Sequence, residues 1–261
     1  MTLQKTINKL IASLGDRKYF CPVCHKKILR FLPLPDFYKN NLEKNGYAYS
    51  FDDAETLNYK AYSCPNCGAS DRDRLYALYI SKYLKEYQTS PISMLEIAPS
   101  RPLTENLKNT GKITLRTADL MMQGVDDRID ITNMTCYADG VFDSFICSHV
   151  LEHVPDDLKA MRELYRILKP GGWGILMVPI PLTLDHIDED PLLEDVGERW
   201  RRFGQDDHVR MYSKNGFVER VEAAGFIVRQ YGQKYFGLDT FRTHGISEKS
   251  VLYVGEKPVG T

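Results

Sequence analysis

Residues 142–179 read FDSFICSHVLEHVPDDLKAMRELYRILKPGGWGILMVP. The run opens on a short apolar strand, Phe142 to Ser148, and continues through a polar turn. From Asp156 to Leu168 the apolar residues return at helical spacing, with Leu158, Met161, Leu164, Tyr165 and Leu168 on one side. Gly171-Gly172 stops that helix, and Trp173 to Ile180 is a second apolar strand. Strand, helix and strand in this order form a crossover unit, so the two strands run parallel with the helix packed over them.

The same alternation extends in both directions. Upstream, the spacing predicts a helix over 72–87, a strand from Ile92 to Ala98 and a helix from Leu103 to Asn109. Strands from Ile113 to Asp119 and, more briefly, from Arg128 to Ile131 follow. Downstream, a helix from Lys214 to Ala224 is closed by Gly225, and Phe226–Tyr231 and Val251–Val254 read as strands. The pattern predicts an α/β, doubly wound, mostly parallel sheet covered on both faces, over residues 71–261. Such sheets bind ligands beyond the carboxyl ends of their strands, near strand one. Glu96, Ala98, Pro99 and Ser100 stand there. Asp119, followed by Leu120, ends strand two, where an acidic side chain accepts both ribose hydroxyls of a nucleoside cofactor. Asp130 and Ile131, after strand three, are placed to meet an adenine edge.

These stretches together resemble class I S-adenosylmethionine-dependent methyltransferases, specifically the type 11 methyltransferase domain, over about residues 92–180. The resemblance implies a Rossmann-like sheet of seven strands with the last one reversed, bound S-adenosylmethionine, and methyl transfer. By it, Glu96 corresponds to the acidic residue of the first motif and Asp119 to the ribose acceptor. Asp130 with Ile131 corresponds to the adenine contact, and Ser148 and His149 to the loop beneath the reactive methyl. One departure stands out. The family's Gly-x-Gly turn is replaced by Ala98-Pro99-Ser100-Arg101-Pro102, in which Arg101 is a candidate partner for the cofactor carboxylate.

Outside this frame lie two cysteine pairs, Cys21-Pro-Val-Cys24 and Cys64-Pro-Asn-Cys67-Gly68. Two Cys-x-x-Cys turns aim four thiolates at one point and suit a structural Zn²⁺; a redox dithiol and buried thiols are the alternatives. Cys136 and Cys147 are read as packing residues. Residues 1–70 are thus expected to form an N-terminal amphipathic helix (Met1 to Leu14) and a small zinc-ribbon-like module, with an aromatic-rich loop between the pairs.

The long polar segment at about 181–212 is expected to be a lid or acceptor wall. His208 and His149 are candidate general bases, because imidazole titrates near neutral pH. His153 is read as supporting the loop, and Asp185, Asp188 and Glu189 as solvated carboxylates. The expected activity is S-adenosylmethionine-dependent methylation of a small-molecule or glycan acceptor, at a hydroxyl. A net charge of −1 argues against nucleic acid as the partner. The basic excess in residues 1–90, 14 Lys/Arg against 9 Asp/Glu, keeps an RNA methyltransferase as an alternative. A non-catalytic zinc-ribbon interaction protein is the other, suggested by the missing glycines. No apolar run of about 18 residues exists to span a membrane, and a cytoplasmic protein is expected.

Overall fold

The computed structural model describes residues 18–87 and 89–260; the helix expected over Met1 to Leu14 lies outside them. The chain begins with a hairpin of β1 (Tyr19–Cys21) and β2 (Lys26–Ile28), followed by α1 (Asp36–Lys44) and α2 (Asp71–Glu86). Next come β3 (Ile92–Ile97), α3 (Arg101–Asn109), β4 (Ile113–Asp119), β5 (Asp127–Arg128) and β6 (Phe142–Ser148). A 3-10 turn over Leu151–His153 leads to α4 (Asp157–Ile167) and β7 (Leu168–Met177). The remainder is β8 (Asp188–Glu189), α5 (Val196–Phe203), β9 (Arg210–Met211), α6 (Lys214–Ala223), β10 (Ile227–Tyr231), α7 (Gln233–Phe236), α8 (Leu238–Thr243) and β11 (Leu252–Glu256).

Seven strands form one sheet in the order β10-β11-β7-β6-β3-β4-β5. The strands from β7 to β5 are parallel, while β11 runs antiparallel to both of its neighbours. This is the seven-stranded, reversed-strand sheet that the resemblance implied. Its central strands are buried on both faces, as in Met94-Leu95 and Phe145-Ile146-Cys147, which is why they read as continuous apolar runs. Close strand packing explains Gly174: a Cβ there would meet the Phe145 ring at 2.1 Å.

Three boundaries differ from the sequence reading. Helix α4 ends at Ile167, ahead of the glycines, and β7 starts at Leu168. Pro170 disfavours helical geometry at Lys169, so the chain turns extended early. Strand β5 stops at Arg128, because Asp130 Oδ1 captures the Thr132 N–H at 2.8 Å and bends the chain. The 181–212 segment holds its own structure, α5 and the short β8–β9 ladder. Asp195 caps α5 by accepting from Glu198 N, and Gly204 closes it in the left-handed region at φ +79°.

At the N-terminal end, Cys21 and Cys24 sit at the hairpin tip, and Gly68 at φ +84° completes the second knuckle. All six cysteines are free. Cys21 Sγ lies 3.8 Å from Cys67 Sγ, and Cys24 Sγ 3.9 Å from Cys64 Sγ. A tetrahedral ion with Zn–S bonds of about 2.3 Å requires sulfurs about 3.8 Å apart, so the four thiols fit one small zinc site. Cys147 is buried as expected, but Cys136 is exposed, since it lies in the loop between β5 and β6.

Arg74 ties this end to the rest. Its guanidinium is fully buried, stacks 3.8 Å from the Phe31 ring centroid and donates to the carbonyls of Tyr62, Ala69, His244 and Gly245. Farther along, the buried Glu55 carboxylate accepts from Tyr253 Oη and Lys214 Nζ, each at 2.7 Å. Residues 18–70 thereby share a continuous apolar core with the sheet.

Candidate active site

The chain order reverses between β3 and β6, which opens a crevice at their carboxyl ends. Two cavities occupy it. One of about 610 Å³ is lined by Ala98, Asp119, Leu120, Asp130, Ile131 and His149, among others. The second, of about 300 Å³, is lined by Arg72, Asp73, Glu96, Ala98, Ser100, Ser148 and His149. Of the residues singled out in the sequence for a cofactor, only Pro99 and Arg101 line neither.

Asp119 uses Oδ1 to accept the N–H groups of Met121 and Met122, at 2.7 and 2.6 Å. That bend aims the loop after β4 and leaves Oδ2 free of any protein donor among the described hydrogen bonds. Glu96 is buried and accepts from Thr104 Oγ1 at 2.7 Å and from Ser100 N at 3.3 Å. Burial pushes its carboxyl up to about 7, with those two hydrogen bonds pulling the other way. The glycine-free turn is accommodated directly: Ala98 itself adopts φ +50°, the left-handed geometry that the missing glycine would take easily. Backbone N–H and C=O groups can therefore still line the cleft.

Arg101 is not part of this cleft. Its side chain is 89% exposed and paired with Glu105 at 2.9 Å, because α3 directs it outward. The cation that lines the smaller cavity is Arg72, in the first turn of α2, beside Asp73. Asp73 accepts from Ser70 N at 2.8 Å and Ser100 Oγ at 3.1 Å, which joins the start of α2 to the turn after β3. Sequence reading passed over both residues. The signal was present in Ser70-Asp-Arg-Asp73, a helix-capping box directly after the second cysteine knuckle.

A third cavity, of about 320 Å³, adjoins the first two. Tyr38, Tyr47, Tyr49, Phe51 and Tyr62 from the loop between the cysteine pairs form one wall, and Trp200 and Phe203 from α5 another. The aromatic loop thus packs over the carboxyl edge of the sheet. His149, Glu152, His153 and His208 lie along the cavity. Among the described residues His149 alone lines all three cavities, and it too has positive φ, at +56°. Burial, then the field of Arg72, pushes its imidazole down to about 4, so the ring is neutral. His208 is 2% exposed, and burial lowers it as well. Its Nδ1 lies 3.0 Å from the Phe203 carbonyl, a group that only accepts, so Nδ1 carries the hydrogen and Nε2 the lone pair.

In the 181–212 segment, Asp188 and Glu189, expected as solvated carboxylates, are instead paired with arginines. Asp188 bonds Arg202, and Glu189 bonds Arg210 at 3.1 Å and also Arg220. Asp185 and His186 lie in a separate shallow depression with Arg220.

Sheet order, reversed strand and a crevice with these acidic residues define a class I methyltransferase fold. A family model described as methyltransferase domain matches residues 69–231, and the chain belongs to that family. It is an S-adenosylmethionine-dependent methyltransferase. No curated protein matches the chain by sequence. Among solved structures, it is similar to the [4+2]-cyclase SpnF, at 14% identity and TM-score 0.48 over 88% of this chain and 100% of that one. An S-adenosylmethionine-dependent methyltransferase from Mesorhizobium loti aligns at 12% identity and TM-score 0.47, covering 71% of this chain and 98% of the other. One from Archaeoglobus fulgidus gives 11% and 0.45, over 72% and 95%. No helix among the described residues is long and apolar enough to cross a membrane.

Proposed function

We propose that this chain methylates a hydroxyl of a small polar molecule or glycan held in the aromatic cavity. The observation that carries the reading is the position of His149, on the wall common to that cavity and both parts of the cofactor crevice. The cavity is the size of a small ligand. Its tyrosines and Trp200 offer faces for the C–H surfaces of a ring and hydroxyls for its polar edge.

S-adenosylmethionine supplies an electrophilic methyl on a sulfonium. Asp119 would take the ribose hydroxyls with its free oxygen, and Asp130, Leu120 and Ile131 would flank the adenine. Arg72 would face the carboxylate of the methionine part, while Asp73 and Glu96 would serve its ammonium end. Ser148 and His149 form the floor, and Ala98-Pro99-Ser100 shapes the turn. The neutral His149 would take the acceptor's O–H proton while that oxygen bonds to the methyl, the displaced carbon–sulfur pair staying with the cofactor. His208 lines the same cavity, beside Glu152 and His153. Zn²⁺ on Cys21, Cys24, Cys64 and Cys67 is structural, since four thiolates leave no open position. Free cysteines throughout support a cytoplasmic location.

The test is transfer of radiolabelled methyl to a panel of hydroxylated metabolites and sugars, with RNA alongside. Label on a small hydroxylated compound, reduced in Tyr49→Ala and Trp200→Ala through KM, supports the proposal. Label on RNA alone overturns it.

A further inference from the structure

Three side chains beside the acceptor cavity remain unexplained by the roles above. Glu152 is 0% exposed, yet neither carboxylate oxygen has a hydrogen-bond partner. His149 Nδ1 approaches Oε1 to 3.1 Å without the alignment of a hydrogen bond. His208 Nε2 is likewise buried and unpartnered. One donor atom each from Glu152, His153 and His208 lie within 4.8 Å of one another. Buried polar atoms are satisfied with few exceptions, so Glu152 Oε2 and His208 Nε2 in one cluster point to a missing partner.

We propose that Glu152, His153 and His208 bind one divalent cation, on the wall that the acceptor cavity shares with the cofactor crevice. The surrounding structure holds the three as ligands are held. His208 gives its Nδ1–H to the Phe203 carbonyl, and His153 Nδ1 lies 3.2 Å from Asp207 Oδ2. A backbone carbonyl and a carboxylate are the usual outer partners of metal-bound histidines, and they leave Nε2 of each ring for an ion. The two halves of the site are also locked together. Val209 N donates to the Glu152 carbonyl at 2.9 Å, and the buried Arg210 guanidinium donates to the carbonyls of Leu151 and Pro155.

Two imidazoles and a carboxylate suit a first-row divalent ion such as Mn²⁺, Fe²⁺, Co²⁺ or Zn²⁺, with open positions for oxygen ligands. The site itself stands on the unpartnered atoms; its use rests on the methyl-transfer reading. An acceptor hydroxyl ligated there is positioned beside the methyl and made more acidic. The bonds made and broken are those already given, and no oxidant or reductant is needed.

The test uses the full chain with any thiolate-bound metal left in place. Wild type, Glu152→Gln and His153→Ala are equilibrated with Mn²⁺, an ion suited to oxygen and nitrogen ligands rather than to four thiolates. Total bound first-row metal per chain is then counted by plasma mass spectrometry, and Mn²⁺ affinity is read from the free-ion resonance signal. The expected result is one more equivalent in wild type than in either variant, or Mn²⁺ affinity at least about tenfold lower in both. Glu152→Gln keeps the buried shape, and the half-exposed His153 gives the variant least exposed to a folding defect. Equal metal counts and equal affinity in all three proteins overturn the site. Calorimetry of wild type with S-adenosylmethionine runs alongside: failure to bind cofactor sinks the methyl-transfer reading, while the metal count still decides this one.

Discussion

Ala98 and His149 leave adjacent parallel strands, β3 and β6, in the same left-handed backbone geometry, at φ +50° and +56°. Both then line both parts of the cofactor crevice. Non-glycine residues in this region carry strain of about 1–2 kcal/mol each, and such residues gather at functional sites.

Ala98→Gly trades that strain against the larger chain entropy of glycine, so stability should stay within about 1 kcal/mol of wild type. Cofactor affinity should be kept or improved. Ala98→Val, β-branched at positive φ, should lose both. Urea unfolding and S-adenosylmethionine calorimetry on the two variants check this, and equal behaviour of both would refute it.

Asp119→Ala should weaken S-adenosylmethionine and S-adenosylhomocysteine by roughly tenfold or more, the worth of one charge-assisted hydrogen-bond site. It also frees two N–H groups of the following bend. Asp119→Asn keeps an acceptor for that bend, so affinity loss without loss of melting temperature should mark the cofactor role.

Glu96 gives a pH dependence with a definite sign. Its folded value of about 7 exceeds the ordinary 4.5, so between these the folded chain holds more protons than the unfolded one. Stability from this group is full below pH 4.5, declines as pH rises to 7 and is level above, a fall on the order of 3 kcal/mol. Glu96→Gln should remove the slope, making the variant more stable than wild type at pH 8 and similar at pH 4.5. Denaturant titrations at the two pH values measure it; a variant less stable at pH 8 would contradict the assignment.

One zinc per chain should be found at the thiolate site and lost in Cys64→Ser. Because Ser70 caps α2 directly after the second knuckle, its loss should also loosen Arg72 and Asp73. Cofactor affinity should then fall along with the melting temperature. Melting that falls while affinity holds would separate the two ends.

The central sheet was legible because its strands are doubly buried, and β4 and β6 fall at the residues expected. The crevice at the strand ends followed, since strand ends are fixed by strand positions: Asp119, Asp130 and His149 all line it. The aromatic cavity was less legible. Its walls come from the aromatic loop and from α5, which meet through long-range packing that periodicity does not encode. Local marks did exist for α5, in Asp195 with Glu198 and in Gly204. Glu152 was hidden differently: beside two histidines in sequence it reads as an ordinary surface residue, and only burial without a partner sets it apart.

Arg74 has a consequence for assembly. Its guanidinium reaches carbonyls on both sides of the second cysteine knuckle and others at His244 and Gly245, about 170 residues on. Gly245 admits this only because it has no side chain, a Cβ there falling 2.3 Å from the Phe31 ring. The cysteine end is therefore no portable cassette: fused elsewhere without that turn, it would carry an exposed arginine socket and an unseated Phe31.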